Sequence, residues 1–116
     1  MVKSYVPERG DMVWLTFDPT IGHEQGGHRP ALVVTQKIFN ARHRLAFVIP
    51  ISSKAKGYSD EVPFFNEHIS GALLVAHSRS IDWHARRAEY VAKIDDSALL
   101  EAQERLETYL IKKDVD

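Results

Sequence analysis

The chain has 116 residues, 44% of them hydrophobic and 27% charged, with a formal net charge of −1. That is enough chain for one core, too apolar for disorder and too poor in Gly and Pro for a low-complexity segment. With no cysteine, a disulfide scaffold, a thiol nucleophile and a Cys-based zinc site are excluded.

Residues 1–9, Met-Val-Lys-Ser-Tyr-Val-Pro-Glu-Arg, contain no apolar signal region. No apolar run approaches the ~18 residues that span a bilayer, so no membrane association is expected and the expected address is cytoplasmic. Residues 11–17, β-branched and aromatic, read as a first strand, opened by Gly10 and closed by Asp18-Pro19. Residues 20–27 read as a loop, with Gly22, Gly26 and Gly27 among polar side chains. A second strand is expected over 29–35, with Pro30 near its start, where a missing N–H is tolerated. A third, over 45–52, is apolar almost throughout and so is expected to be buried on both faces. Shorter strands are expected at 61–65, 72–77 and 86–91. From 97 to 112 the apolar residues Leu99, Leu100, Leu106, Tyr109 and Leu110 recur at helical spacing, with Asp96 or Ser97 as N-cap and Lys112-Lys113 at the C-terminal end. The sum is a single mainly β (β-rich α+β) domain over residues 1–116, a small sandwich or barrel with a C-terminal amphipathic helix. Trp14, Phe17, Phe39, Phe47, Phe64 and Phe65 are expected in its core.

Charge is unevenly distributed. Between residues 21 and 59, Arg29, Lys37, Arg42, Arg44, Lys54 and Lys56 face one acid, Glu24; from Asp95 onward acids dominate. The first region suits an anionic partner and the second does not. Within the first, Gly22-His-Glu-Gln-Gly-Gly-His-Arg-Pro30 places a carboxylate, two imidazoles and a guanidinium in a loop that runs straight into a strand. RNA cleavage by the substrate's own 2′-OH needs a base, a cation for the charged phosphorane and an acid for the leaving oxygen. Glu24, Arg29 and His28 supply those functions without a metal; a solvated surface loop is the plain alternative. No histidine pair has metal-ligand spacing. Ser52 and Ser53 end the third strand, and Lys54, Lys56 and Tyr58 follow, a pattern suited to phosphate and single-strand contact. Arg79, Arg86 and Arg87, with His77 and His84, form a second basic stretch, read either as ion pairs with Asp82 and Glu89 or as a phosphate path.

Tyr5-Val-Pro, Gly10-Asp, Phe17-Asp-Pro-Thr, Gly22-x-Glu24-Gln, Gly27-His-Arg-Pro-Ala-Leu-Val33, Pro50-x-Ser-Ser, Lys56-Gly-Tyr58 and Ser80-Ile-x-Trp-x-Ala-Arg86 together resemble the MazF/PemK toxin family in order and spacing. The resemblance runs from Tyr5 to about Arg87. It implies a compact SH3-like barrel with a C-terminal helix. It also implies a homodimeric, ribosome-independent endoribonuclease toxin of a type II toxin–antitoxin system. Such an enzyme cuts single-stranded mRNA at short sequences without metal or other cofactor, leaving a 2′,3′-cyclic phosphate and a 5′-hydroxyl. Its partner would be a MazE-like antitoxin whose acidic, disordered tail covers the RNA groove. By position, Glu24 falls on the loop carboxylate taken as base, Arg29 on the catalytic arginine, and Ser52 on a hydroxyl that is usually threonine. His28 completes the catalytic candidates. Ser53, Lys54, Lys56, Tyr58, His77, Arg79 and Arg86 form the expected RNA path. Many relatives carry Asp-Gln where this chain has Ala76 and His77, and an imidazole there would gain a phosphate contact as pH falls. A second reading is a non-catalytic CcdB-like barrel that poisons a protein target such as DNA gyrase; a third is a nucleic-acid-binding barrel without catalysis.

Overall fold

In the three central strands both alternate sets of side chains are apolar, and each set has its own core. The computed structural model describes residues 5–17, 27–54, 57 and 60–111. Along this chain run β1 (Asp11–Thr16), β2 (His28–Val33), α1 (Lys37–His43), β3 (Ala46–Ser52), β4 (Glu61–Phe64), β5 (Gly71–Leu74), β6 (Arg79–Ile81), β7 (Glu89–Lys93) and α2 (Asp96–Leu110). The antiparallel sheet has the order β4-β5-β3-β2-β1-β7, with β6 also paired to β3. On one face Met12, Leu32 and Ile49 pack with Ile94, Ala98 and Ala102 at α2. On the other, Val13, Leu15, Ala31, Val33 and Val48 pack with Ile81 and Trp83. This is the mainly β fold with a C-terminal helix that the sequence led us to expect.

β3 is long enough to serve two partners on one edge. Its first half pairs with β6 (Ala46↔Ile81, Val48↔Arg79), and its last residues pair with β5 (Ile51↔Leu73, Ser52↔Ala72). The segment 71–81 thus follows β3 in two pieces, joined by a 3-10 turn at Val75–His77. The expected strand over 72–77 is therefore corrected to β5 and this turn, β6 is an additional strand, and the last strand lies at Glu89–Lys93 rather than 86–91. The aromatic side chains are also corrected. Phe65 and Phe39 are exposed and Trp14 and Phe47 are only partly covered, whereas Phe64 and Phe17 pack, partly buried, against the first and second cores. The core is aliphatic, with Trp83 as its buried aromatic ring. The reason is geometric: short strands with two buried faces leave interior space for Val, Leu and Ile, so large rings move to the margins.

α1 is unanticipated because its one buried residue is polar. The Asn40 amide donates to the carbonyls of Pro7 (2.8 Å) and Thr35 (3.0 Å), and its Oδ1 accepts from the Thr35 hydroxyl (2.6 Å). The Trp83 indole N–H donates to the Asn40 carbonyl (2.9 Å). One asparagine thus ties the N-terminal segment, the β2–α1 connection and the lid of the second core. A second tie lies at the start of β1. Buried Asp11 accepts from the Tyr5 hydroxyl and the Glu8 N–H, and pairs with Lys93 of β7 at 2.7 Å. Burial, then the Asp11 bond, push the Tyr5 phenol far above its ordinary range. Burial disfavours charge on Lys93, but its bonds to Asp11 and Glu8 outweigh that and raise its pKa.

α2 is capped by Asp95, not Asp96 or Ser97: the Asp95 carboxylate accepts the Ala98 N–H at 3.2 Å. A hydrogen bond from Ser97, opposed by burial and aided by Ala98, lowers the Asp95 pKa. Lys112 and Lys113 lie outside the described residues. Among the described residues no helix is long and apolar enough to cross a membrane.

Two stability measurements follow from these contacts. Asn40→Ala strands buried carbonyls and is expected to cost about 2–3 kcal/mol in denaturant unfolding. Asp95→Ala is expected to cost about 1 kcal/mol at neutral pH. A depressed carboxylate pKa stabilises above the ordinary range near pH 4, and that contribution fades as pH falls through the folded-state value. The wild type and Asp95→Ala should therefore converge in acid.

Candidate active site and nucleic-acid interface

Strand register gathers the candidate residues. Leu15↔Arg29 places the guanidinium on the sheet face of Leu15, above the second core. Val48↔Arg79 does the same for Arg79. The β2–β3 ladder ends at Ala31↔Pro50; two residues further on each strand, the two-residue side-chain period carries Arg29 and Ser52 to this same face. The antiparallel directions bring the C-terminal ends of β1 and β3 to the N-terminal end of β2, whereas β6 begins opposite Val48 in the middle of β3. Arg29 and Ser52 therefore share one face at one end of the β2–β3 pair; Arg79 lies on the same face four residues back along β3, opposite Val48, and its guanidinium reaches the ring of Phe17, which stands just past β1.

Phe17 organises the cations. Its ring centroid is 4.7 Å from the Arg86 guanidinium carbon and 5.8 Å from that of Arg79. The quadrupole of one ring offsets the mutual repulsion of two like charges held close together. Backbone bonds fix the ends: the Thr16 N–H donates to the Arg86 carbonyl (2.8 Å) and the Phe17 N–H to that of Gly27 (3.0 Å). Arg86 sits in a tight turn. The Asp82 Oδ1 accepts the Ala85 N–H (2.8 Å), the Arg86 N–H donates to the Asp82 carbonyl (3.0 Å), and Arg87 takes a left-handed φ of 54°. A cavity of about 340 Å³ opens here, lined by Thr16, Arg79, Ser80, Ile81, Asp82 and Arg86. Phe17 was not among the sequence candidates. Its position after the last strand residue, immediately before Asp-Pro, was the available signal.

His28 is not brought to this group. One residue from Arg29, it points to the opposite face, stacked on Trp14 (centroids 6.2 Å apart) with Nε2 3.9 Å from Glu89. The Ser52 Oγ accepts the Lys54 N–H (3.1 Å) and donates to the Lys54 carbonyl (3.3 Å), folding the exit of β3 so that Ser53 and Lys54 are exposed. His77 is exposed on the 3-10 turn. Arg79, Arg86 and Arg87 form no salt bridge with Asp82 or Glu89 among the described residues; Glu89 lies beside His28 instead. Glu24, Lys56 and Tyr58 lie outside the described residues. Among the described residues no three His, Asp or Glu side chains form a group able to hold a metal ion.

A family profile described as a PemK-like, MazF-like toxin of type II toxin-antitoxin system matches residues 8–110. The chain is 41% identical over 88 residues to the endoribonuclease toxin MazF of Escherichia coli K12, covering 76% of this chain and 79% of that one. The crystal structure of MazF from Deinococcus radiodurans matches with a TM-score of 0.83 at 44% identity, covering 92% of this chain and 98% of that one. A MazE–MazF crystal structure from the same organism (Form-II) matches with a TM-score of 0.85 at 44% identity, covering 92% and 97%.

The position of Ser52 depends on a glycine across the β3–β5 ladder. Gly71 has a φ of 150°, and a Cβ built there lies 2.1 Å from the Ser52 carbonyl oxygen. Gly71→Ala is therefore expected to lower stability by about 2 kcal/mol or more and to displace the end of β3. Denaturant unfolding measures the first effect, and amide chemical shifts at Ser52–Lys54 the second.

Proposed function

The chain belongs to the PemK-like, MazF-like family of type II toxins, and from that premise we propose that the face carrying Arg29, Ser52, Arg79 and Arg86 is where it cuts RNA. The protein is an endoribonuclease toxin of a type II toxin–antitoxin system, as its relatives are named. The observation that supports this site is that Arg29 and Ser52 share one end of one sheet face, and that Arg79, on the same face, forms with Arg86 an arginine pair held on Phe17.

The proposed reaction needs only the substrate, solvent water and this chain. The 2′-OH attacks the adjacent phosphorus, a 2′-O–P bond forms and the P–O5′ bond breaks. Glu24, in the segment leading into β2, takes the 2′ proton. The departing 5′ oxygen takes up a proton from solvent water, leaving a 2′,3′-cyclic phosphate and a 5′-hydroxyl, and Glu24 returns its proton to solvent. Arg29 stabilises the charge that builds on the phosphorane, where a fixed cation contributes most. Ser52 hydrogen-bonds a phosphate oxygen. Arg79 and Arg86, with Ser53, Lys54, Lys56, Tyr58 and His77, hold the flanking strand through phosphate contacts and stacking. No proton-transfer role is given to His28, which faces the other way with Trp14 and Glu89.

A MazE–MazF complex among the similar structures supports a MazE-like antitoxin as partner. Its acidic tail would compete with RNA for the same cations. A homodimer acting in the cytoplasm completes the proposal. The names of the relatives favour RNA cleavage over the poisoning of a protein target.

Two measurements test the mechanism. Arg29→Ala should cut RNA roughly 10²–10³-fold more slowly with an unchanged circular dichroism spectrum; a near wild-type rate would remove Arg29 from the chemistry. Deoxyribose 5′ of the scissile phosphate should stop cleavage without preventing binding, whereas hydrolysis of that bond would mean that water is the nucleophile.

A further inference from the structure

The cavity beside Phe17 is lined by a solvent-exposed carboxylate with one oxygen free among the described residues. Asp82 lines it together with Arg79 and Arg86, yet it pairs with neither within 4 Å. An aspartate beside two arginines ordinarily closes onto one of them, since charge-assisted pairs are the strong hydrogen bonds. Here the ring of Phe17 holds both guanidiniums. The turn holds the carboxylate, whose Oδ1 accepts the Ala85 N–H. The second oxygen, Oδ2, has no hydrogen-bond partner among the described residues. The cavity thus offers two fixed cations and one oriented acceptor side by side. A purely phosphate-binding pocket gains nothing from a carboxylate, which repels the ligand. Capping the turn needs only one acceptor, and serine or asparagine would supply it.

We propose that this cavity takes one nucleotide of the RNA and that Asp82 reads its base. Arg79 and Arg86 hold the phosphate, and Asp82 Oδ2 accepts a hydrogen bond from an exocyclic amine on the base edge. The cavity's volume of about 340 Å³ lies at the small end of ligand pockets, about 300–1,000 Å³, a fit for a single splayed-out nucleotide. Single-stranded RNA exposes such base edges, and carboxylates accept from base amines. At one position of the cleavage motif the enzyme therefore prefers adenine, cytosine or guanine to uracil. This inference rests on the ribonuclease reading above.

Asp82→Asn and Asp82→Ser separate base reading from a structural role, because both keep an acceptor for the Ala85 N–H. Each variant and the wild type would be incubated with a long RNA of mixed sequence and every cut mapped. Asp82→Asn replaces an acceptor by an N–H donor, so preference at one position should swing by about tenfold toward uracil, which has carbonyls and no exocyclic amine, and away from adenine, which has the amine and no carbonyl. Asp82→Ser should flatten preference at that same position. The same ranking of bases at every position in all three proteins would overturn the proposal, as would slower cutting by the variants with the motif unchanged. No cutting by the wild type itself would overturn the ribonuclease reading, and this inference with it.

Discussion

The site depends on one constraint: β1, β2 and β3 are buried on both faces. In most antiparallel sheets one face is solvated and a slip of one residue exchanges core for surface. Here a slip would exchange one core for the other, and the two differ in shape. Met12, Leu32 and Ile49 meet the small residues Ala98 and Ala102 of α2, whereas Val13, Ala31 and Val48 meet Trp83 and Ile81. Neither set substitutes for the other, so register is fixed from both sides. The polar ends of the strands inherit that register.

This rigidity has chemical consequences. Arg29 emerges at the end of a strand whose next apolar residue, Ala31, is locked in the second core, so the guanidinium's base hardly moves even though its charge is in water. Phe17 and the tight turn before β7 do the same for Arg86. The charges therefore escape the desolvation penalty of burial while keeping a defined geometry, a combination suited to a substrate that is itself a polyanion. The period-two alternation that unites Arg29 with Ser52 also separates Arg29 from His28. Adjacency in sequence placed these two in one site; adjacency in a strand puts them on opposite faces.

Much of this was legible from residues alone. β-branched and apolar runs marked β1, β2 and β3 to within a residue or two, and the spacing of Leu99 and Leu106 marked α2. The short α1 was not legible, because Ile38 and Phe39 are exposed and its anchor is Asn40; a helix held by a buried amide has no apolar period to read. β6 has three residues and is defined by its pairing to β3, a long-range fact absent from local pattern. Arg29, Ser52, Arg79 and Arg86 were candidates by residue type and resemblance, but only register shows which of them share a face. Phe17 was expected in the core, and it does pack partly buried against the second core; its further place at the cations follows from where β1 ends.

The central claim is that RNA meets the face of Arg29 and not the face of His28. Amide and side-chain NMR shifts, recorded while titrating a single-stranded RNA made uncleavable by 2′-deoxy substitution, test this most directly. The account predicts that perturbations gather at Phe17, Arg29, Ser52, Arg79 and Arg86 while Trp14, His28 and Glu89 stay unmoved. Perturbations centred on Trp14, His28 and Glu89, with the arginine face silent, would contradict it.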